Sequence, residues 1–315
     1  MPVLNEYTYM SANHRTPIYT RELIPDEAPR AVLQIAHGLS EHIGRYDEFA
    51  RFLCSYGFVV AGNDHLGHGR TAEENGDYGF FSEYRGWDMA VHDVRTLTER
   101  LQEKYAGLPI FLLGHSMGSF LLRSYMICHS DAELAGVLLS GTGQPSISLL
   151  NTGISLANLE IKRNGAKARS PQVSQFMESM RRSDPPLERA ADWISRDPEM
   201  VDAFIADPLS RRGATVSMLR DMMVGMRFNS RTDNLKKMNR DLPVFFFSGD
   251  RDPVGLNGQG VIRIYTRFVS VGMKDVTMKL YPEGRHEMLN EINRAEVYAD
   301  VLGWLESKMR TVEIP

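Results

Sequence analysis

Gly114-His-Ser-Met-Gly118 sets a serine between two glycines. An isolated serine hydroxyl is a poor nucleophile at neutral pH. It becomes one when a base lies within hydrogen-bond reach and an acid orients that base. Two later segments carry both residue types: Ser248-Gly-Asp-Arg-Asp-Pro253, and Pro282-Glu-Gly-Arg-His286. Serine, then acid, then histidine is the chain order used when the nucleophile sits on a strand–turn–helix elbow. Ser116 is therefore the candidate nucleophile and His286 the candidate base. Asp250 and Asp252 both lie in the right loop. Asp252 is favoured, because it directly precedes Pro253, which fixes a turn. Asp250 is then expected to bond backbone amides of its own loop. The competing role for Ser116, a simple helix N-cap, would not call for both glycines.

Attack on a carbonyl also requires donors for the developing oxyanion. One is the backbone N–H after the nucleophile, on Met117. The other is expected in His37-Gly-Leu-Ser-Glu-His42, as the Leu39 N–H. Losing one such donor typically costs ~2.7–4 kcal/mol.

These residues need a scaffold, and the hydrophobic pattern supplies one. Ala31–Ala36, Phe58–Ala61, Pro109–Leu113 and Leu134–Ser140 read as buried strands. Between them Asp47–Tyr56, Trp87–Tyr105 and Met117–His129 read as helices. In Trp87–Tyr105 the apolar positions Met89, Val91, Val94, Leu97 and Leu101 follow helical spacing. This alternation predicts βαβ units and a mostly parallel sheet covered on both faces. The rhythm stops from about Pro145 to Leu235, where helices are broken at Asp184-Pro-Pro186, Asp197-Pro198 and Asp207-Pro208. It resumes with strands Val244–Phe247 and Val276–Tyr281 and helices Gly260–Val271 and Ala295–Met309. The expected organisation is thus a core of residues 1–144 and 236–315 with a helical cap, 145–235, inserted between its halves. Tyr7–Glu22 is expected to add an antiparallel pair at one edge. Every candidate site residue then lies just past the C-terminal end of a strand, the edge where open α/β sheets build their sites.

Composition sets the outer limits. The 315 residues carry 36 basic against 40 acidic side chains, a formal charge of −4. That balance gives no support for nucleic-acid binding. No apolar run approaches the ~20 residues of a membrane-spanning helix, and Met1–Met10 has no secretory pattern, so a cytoplasmic location is expected. Cys54 and Cys128, the only cysteines, are expected as separate, reduced, buried thiols.

Several stretches together carry a resemblance. They are His37-Gly-Leu-Ser-Glu-His-Ile-Gly-Arg-Tyr46, Asp64-His-Leu-Gly-His-Gly69, Leu108-Pro-Ile-Phe-Leu-Leu-Gly-His-Ser-Met-Gly118, Gly249-Asp-Arg-Asp252 and Tyr281-Pro-Glu-Gly-Arg-His286. The chain resembles the monoacylglycerol lipase and lysophospholipase group of α/β-hydrolases, also labelled serine aminopeptidase-like. The resemblance implies an α/β-hydrolase fold, a serine triad with Asp252 as its acid, no cofactor, no metal at His37, His42, His65 and His68, and a cap over an acyl pocket. It implies hydrolysis of monoacylglycerols, lysophospholipids or similar single-chain acyl esters. Acyl transfer and aminopeptidase-type amide cleavage use the same triad and stay open, and a non-catalytic ligand binder is the remaining alternative. In one respect the chain departs from the group. Mammalian-type monoacylglycerol lipases carry a second histidine three residues after the catalytic one, holding the glycerol end; here Leu289 stands at that place and is the corresponding candidate substrate contact. Glu41 and Arg45 are then the polar candidates for head-group contact, or else a salt bridge bracing the loop.

The cap has two apolar features. Ile147, Leu150, Ile154, Ala157 and Ile161 share one helical face, which Leu149, Leu156 and Leu159 widen. That helix is expected to line an acyl channel, with peripheral contact to a membrane surface as a further use. Met218, Met222, Met223 and Met226 fit either a deformable acyl wall or ordinary packing.

Overall fold

The computed structural model describes residues 2–180, 189–210 and 212–309. Eight strands form one sheet in the order β1-β2-β4-β3-β5-β6-β7-β8. They are β1 (Val3–Met10), β2 (Pro17–Ile24), β3 (Ala31–Ala36), β4 (Phe58–Asn63), β5 (Ile110–His115), β6 (Gly136–Ser140), β7 (Val244–Gly249) and β8 (Val276–Tyr281). From β4 to β8 every pairing is parallel. The β1 and β2 strands add the expected antiparallel edge.

Period-two alternation shares each strand between two cores. On one face Leu112, Leu139 and Phe246 meet α3 (Gly86–Lys104), α4 (Met117–Cys128) and α10 (Gln259–Ser270). On the other, Phe111, Leu138, Phe245 and Phe247 meet α1 (Asp47–Cys54) and α11 (Arg294–Met309). Covering both faces is why β3 through β7 read as unbroken apolar runs rather than alternating ones. The short α2 (Gly69–Glu73) follows β4.

Between β6 and β7 lie α5 (Ile147–Asn164), α6 (Pro171–Ser179), α7 (Pro198–Ala206), α8 (Val216–Asn229) and α9 (Thr232–Leu235). Among the described residues this insertion contains no strand. Two of its prolines begin helices. Pro171 and Pro198 occupy the first turns of α6 and α7 behind the side-chain caps Ser170 and Asp197, positions where a missing N–H costs nothing. Asp197-Pro198 is therefore a start signal as well as a break. Asp184-Pro-Pro186 falls outside the described residues. One expectation about the thiols fails: Cys54 is buried, whereas Cys128, the last residue of α4, is exposed.

Candidate active site

Ser116 occupies the turn between β5 and α4 with φ 50° and ψ −117°, a backbone conformation costly for a side-chain-bearing residue. The neighbouring glycines make that turn sterically feasible. A Cβ at Gly118 would lie 1.9 Å from the Ala36 carbonyl oxygen, and one at Gly114 would lie 2.6 Å from the Gly118 oxygen. Helix α4 thus crosses β3 at backbone contact, which only glycine permits. The Ser116 N–H donates to the Ser140 carbonyl at 2.9 Å and ties the turn to β6.

His286 follows β8, and its Nδ1 lies 3.0 Å from Asp252 Oδ1. Asp252 is fully buried after β7. Its Oδ1 also accepts the Val254 N–H at 2.9 Å, and its Oδ2 accepts the Ser248 hydroxyl at 3.1 Å. Burial opposes ionisation of Asp252, but the charge and hydrogen bond of His286, with those two donors, outweigh it and hold the pKa below the ordinary value. A carboxylate at Nδ1 leaves Nε2 as the basic atom. The imidazole is held between rings, with Trp193 at 4.9 Å and His115 at 4.6 Å between centroids. Asp250, by contrast, bonds outside its own loop: its Oδ1 accepts from the Glu283 N–H at 2.8 Å. It staples the β7 loop to the β8 loop, which corrects the role expected for it.

The two candidate oxyanion donors flank Ser116. The Met117 N–H is the first amide of α4, a position with no i−4 acceptor within the helix. Leu39 follows Gly38, whose ideal Cβ position is 3.2 Å from Ser116 Cβ. The Gly38 carbonyl accepts from His37 Nδ1 at 2.7 Å, and His37 Nε2 accepts the His65 N–H at 3.0 Å. Gly38 C=O and Leu39 N–H belong to one planar peptide, so holding the carbonyl aims the amide. Burial pushes the His37 pKa well down and His65 down to about 3, so both rings remain neutral. His68, held by burial at about 4, donates its Nδ1–H to the Leu66 carbonyl at 2.9 Å. His42 Nε2 lies 2.7 Å from Asp207 Oδ2 and so links the loop after β3 to the end of α7.

A cavity of about 280 Å³ opens above Ser116 and His286. Glu41, His115 and Glu287 are polar lining residues beside Ser116 and His286, while Leu39, Phe120, Met177, Leu219, Met222 and Met226 are among its apolar walls. Leu219, Met222 and Met226 recur on one face of α8. Met218 and Met223 point elsewhere, against Gly67 and Gly153, so the methionine group divides between wall and packing. The α5 expectation is corrected: none of its stripe residues lines this cavity. Leu150, Ile154 and Ala157 are buried in the core shared with α8, while Ile147 and Leu159 face outward. Leu289 is corrected as well, being buried in the α11-side core away from the cavity.

Sequence reasoning missed three contributors to this site: His115, Trp193 and Glu287. Burial, with His286 nearby, lowers His115 to about 4. The cap segment holding Trp193 is stitched to the base loop. The Glu287 N–H donates to the Ile194 carbonyl at 2.7 Å, and Ser195 Oγ donates to the Asn290 carbonyl at 2.8 Å. Glu41 and Arg45 form the brace, with Glu287 as their third member. Arg45 Nη1 donates to Glu41 Oε2 at 2.8 Å, and the fork of Nη1 and Nη2 holds both Glu287 oxygens at 2.7 Å.

A mostly parallel sheet, a strained serine between strand and helix, and a cap over the serine define a hydrolase of the α/β-hydrolase class. Within that class the chain belongs to the family described as Serine aminopeptidase, S33, whose profile matches residues 27–293. It is 30% identical over 289 residues to a monoacylglycerol lipase of Mycolicibacterium smegmatis, covering 90% of this chain and 91% of that protein. Identity to the monoglyceride lipase of Homo sapiens is 25% over 297 residues, covering 93% and 88%. Among solved structures, a thermostable carboxyl esterase from Bacillus coagulans in complex with glycerol superposes with a TM-score of 0.89. Identity there is 29%, and coverage 98% of this chain and 99% of that one. The chain is a carboxylic ester hydrolase.

Proposed function

We propose that the enzyme hydrolyses single-chain acyl esters, monoacylglycerols foremost, through Ser116, His286 and Asp252. Ser116 Oγ attacks the ester carbonyl as His286 Nε2 takes its proton. Asp252 holds the imidazole and stabilises its cation. The Leu39 and Met117 N–H groups bind the oxyanion. His286 then protonates the leaving alcohol, and an acyl group remains on Ser116. Water attacks that ester as His286 takes one of its protons; the proton returns to Ser116 Oγ, and the fatty acid leaves.

The observation that carries this reading is the cavity itself. It is polar where Ser116 and His286 stand and apolar along α8, which matches an ester at the head of one alkyl chain. The relatives named as monoacylglycerol lipases support the same substrate class. An aminopeptidase would need a carboxylate beside Ser116 for the substrate ammonium, whereas Glu41 and Glu287 share Arg45 and Glu178, the other carboxylate of the wall, stands on α6. Residues 145–235 act as the cap in this reading. Ile147 and Leu159 of α5 and Ile205 of α7 are exposed apolar side chains of that cap, available for peripheral contact with lipid.

The test is hydrolysis of 1-monoacylglycerols from short to long chains, alongside short p-nitrophenyl esters and a lysophospholipid. The Ser116→Ala protein is subtracted throughout. A kcat/KM rising with chain length on monoacylglycerols is expected. Ser116-independent turnover would refute the nucleophile, and activity confined to short activated esters would refute the substrate class.

A further inference from the structure

The reaction proposed above needs two loops at a fixed separation: the loop after β3, which carries the Leu39 N–H, and the loop after β8, which carries His286. One guanidinium joins them. Arg45 Nη1 bonds both Glu41 Oε2 and Glu287 Oε1, while Nη2 bonds Glu287 Oε2. Glu287 is the residue directly after His286. Glu41 Oε1 in turn accepts the Gly38 N–H, next to Leu39, and the Tyr46 hydroxyl at 2.9 Å. All three charged side chains are at most 10% exposed. The Arg45 guanidinium also lies over the Phe204 ring of α7, 4.7 Å from its centroid.

Stability alone is a poor account of this arrangement. Burying two carboxylates with one guanidinium leaves a net negative charge in the wall, and apolar residues of similar volume would hold the loops at least as well. A planar fork supplies what apolar packing lacks, which is fixed distance and direction. We propose that Glu41, Arg45 and Glu287 form a strut that sets the oxyanion donor against the general base, with Glu287 as a positioning residue. The proposal rests on the ester hydrolysis argued above.

The experiment compares Glu41→Gln, Glu287→Gln and the double variant on two substrates, a long-chain monoacylglycerol and p-nitrophenyl butyrate, which has no glycerol. In each single variant the glutamine keeps an acceptor beside Arg45 and leaves one carboxylate paired with it; the double variant keeps two amide acceptors, and thermal midpoints verify folding of all three. A strut predicts that Glu287→Gln lowers kcat about tenfold or more on both substrates, with KM within about twofold, since small misplacements of reacting groups are costly. It also predicts that the double variant is no worse than the worse single variant, because either break releases the same coupling. Loss confined to the monoacylglycerol would make Glu287 a head-group contact and overturn the proposal, as would multiplicative effects or an unchanged kcat. Ser116-dependent turnover of p-nitrophenyl butyrate by the unaltered enzyme tests the underlying reading separately.

Discussion

Replacing Arg45 with methionine should invert the local dependence of stability on pH. In the native protein burial works against ionisation of Glu287, but the charge and fork of Arg45 prevail and hold its carboxyl well below the usual carboxylate range. A depressed pKa contributes stability that is present above the unfolded value, ~4.3, and lost as pH falls through the folded value. The ion network is therefore fully formed at neutral pH. Each carboxylate–guanidinium pair, with charge centres ~4 Å apart at an effective dielectric of ~20, is worth about 4 kcal/mol before desolvation. Arg45→Met removes both pairs and relieves the desolvation of one cation, but it leaves two buried carboxylates beside each other. Removing one member of a buried ion network costs ~3–5 kcal/mol. With the cation gone, burial and the neighbouring carboxylate raise the Glu287 pKa above its unfolded value. The remaining penalty then grows as pH rises and shrinks toward pH 5, where protonation relieves it. Denaturant unfolding of both proteins at pH 5 and pH 8 measures this directly. The expected difference in stability is several kcal/mol at pH 8 and distinctly smaller at pH 5. Equal stability at pH 8, or a difference that does not change with pH, would refute the reasoning.

Further outcomes follow from other parts of the fold. Gly118→Ala would set a Cβ 1.9 Å from the Ala36 oxygen, so α4 must shift; a shift of ~1 Å costs about 10²-fold in rate, read as kcat on p-nitrophenyl butyrate. Met226→Phe should shorten the acyl chain the cavity accepts; losing room for about one methylene, at ~0.8 kcal/mol, lowers kcat/KM about fourfold on long chains and spares butyrate. Asp93 is pushed up to about 7 by burial, against the Ala12 N–H and Ser11 hydroxyl that it accepts. A raised carboxyl pKa favours folding most below the unfolded value and destabilises progressively as pH rises through about 7. Asp93→Asn should therefore raise the thermal midpoint at pH 8 and change it little near pH 4. Thiol alkylation of the native enzyme should proceed slowly at Cys128, where burial raises the pKa, and not at Cys54, pushed up to about 12.

Much of this enzyme was legible in its amino-acid order, because the deciding forces there are local. Gly114 and Gly118 announce a turn that only glycine permits. The runs Ala31–Ala36 and Val244–Phe247 announce strands buried on both faces, and chain order places an acid and a histidine past the strands that follow the insertion. What a helix touches is another matter. The α5 stripe shows correctly that one face is buried, but amphipathicity does not name the partner, and the partner is α8 rather than an acyl chain. Only α8, whose own stripe is no stronger a signal, brings Leu219, Met222 and Met226 to the cavity. Leu289 illustrates the same limit, since a position in a motif does not reveal the direction of a side chain at the edge of a core. The fork from Arg45 to Glu287 spans 242 positions. No local propensity encodes such a pair; it exists because the sheet places β3 and β8 with the same polarity and opens both following loops at one edge. Residue order determined the candidate serine, its turn and the layers that hold it. Tertiary structure alone decided which charges meet across the site, because burial and pairing depend on neighbours that only the folded sheet brings together.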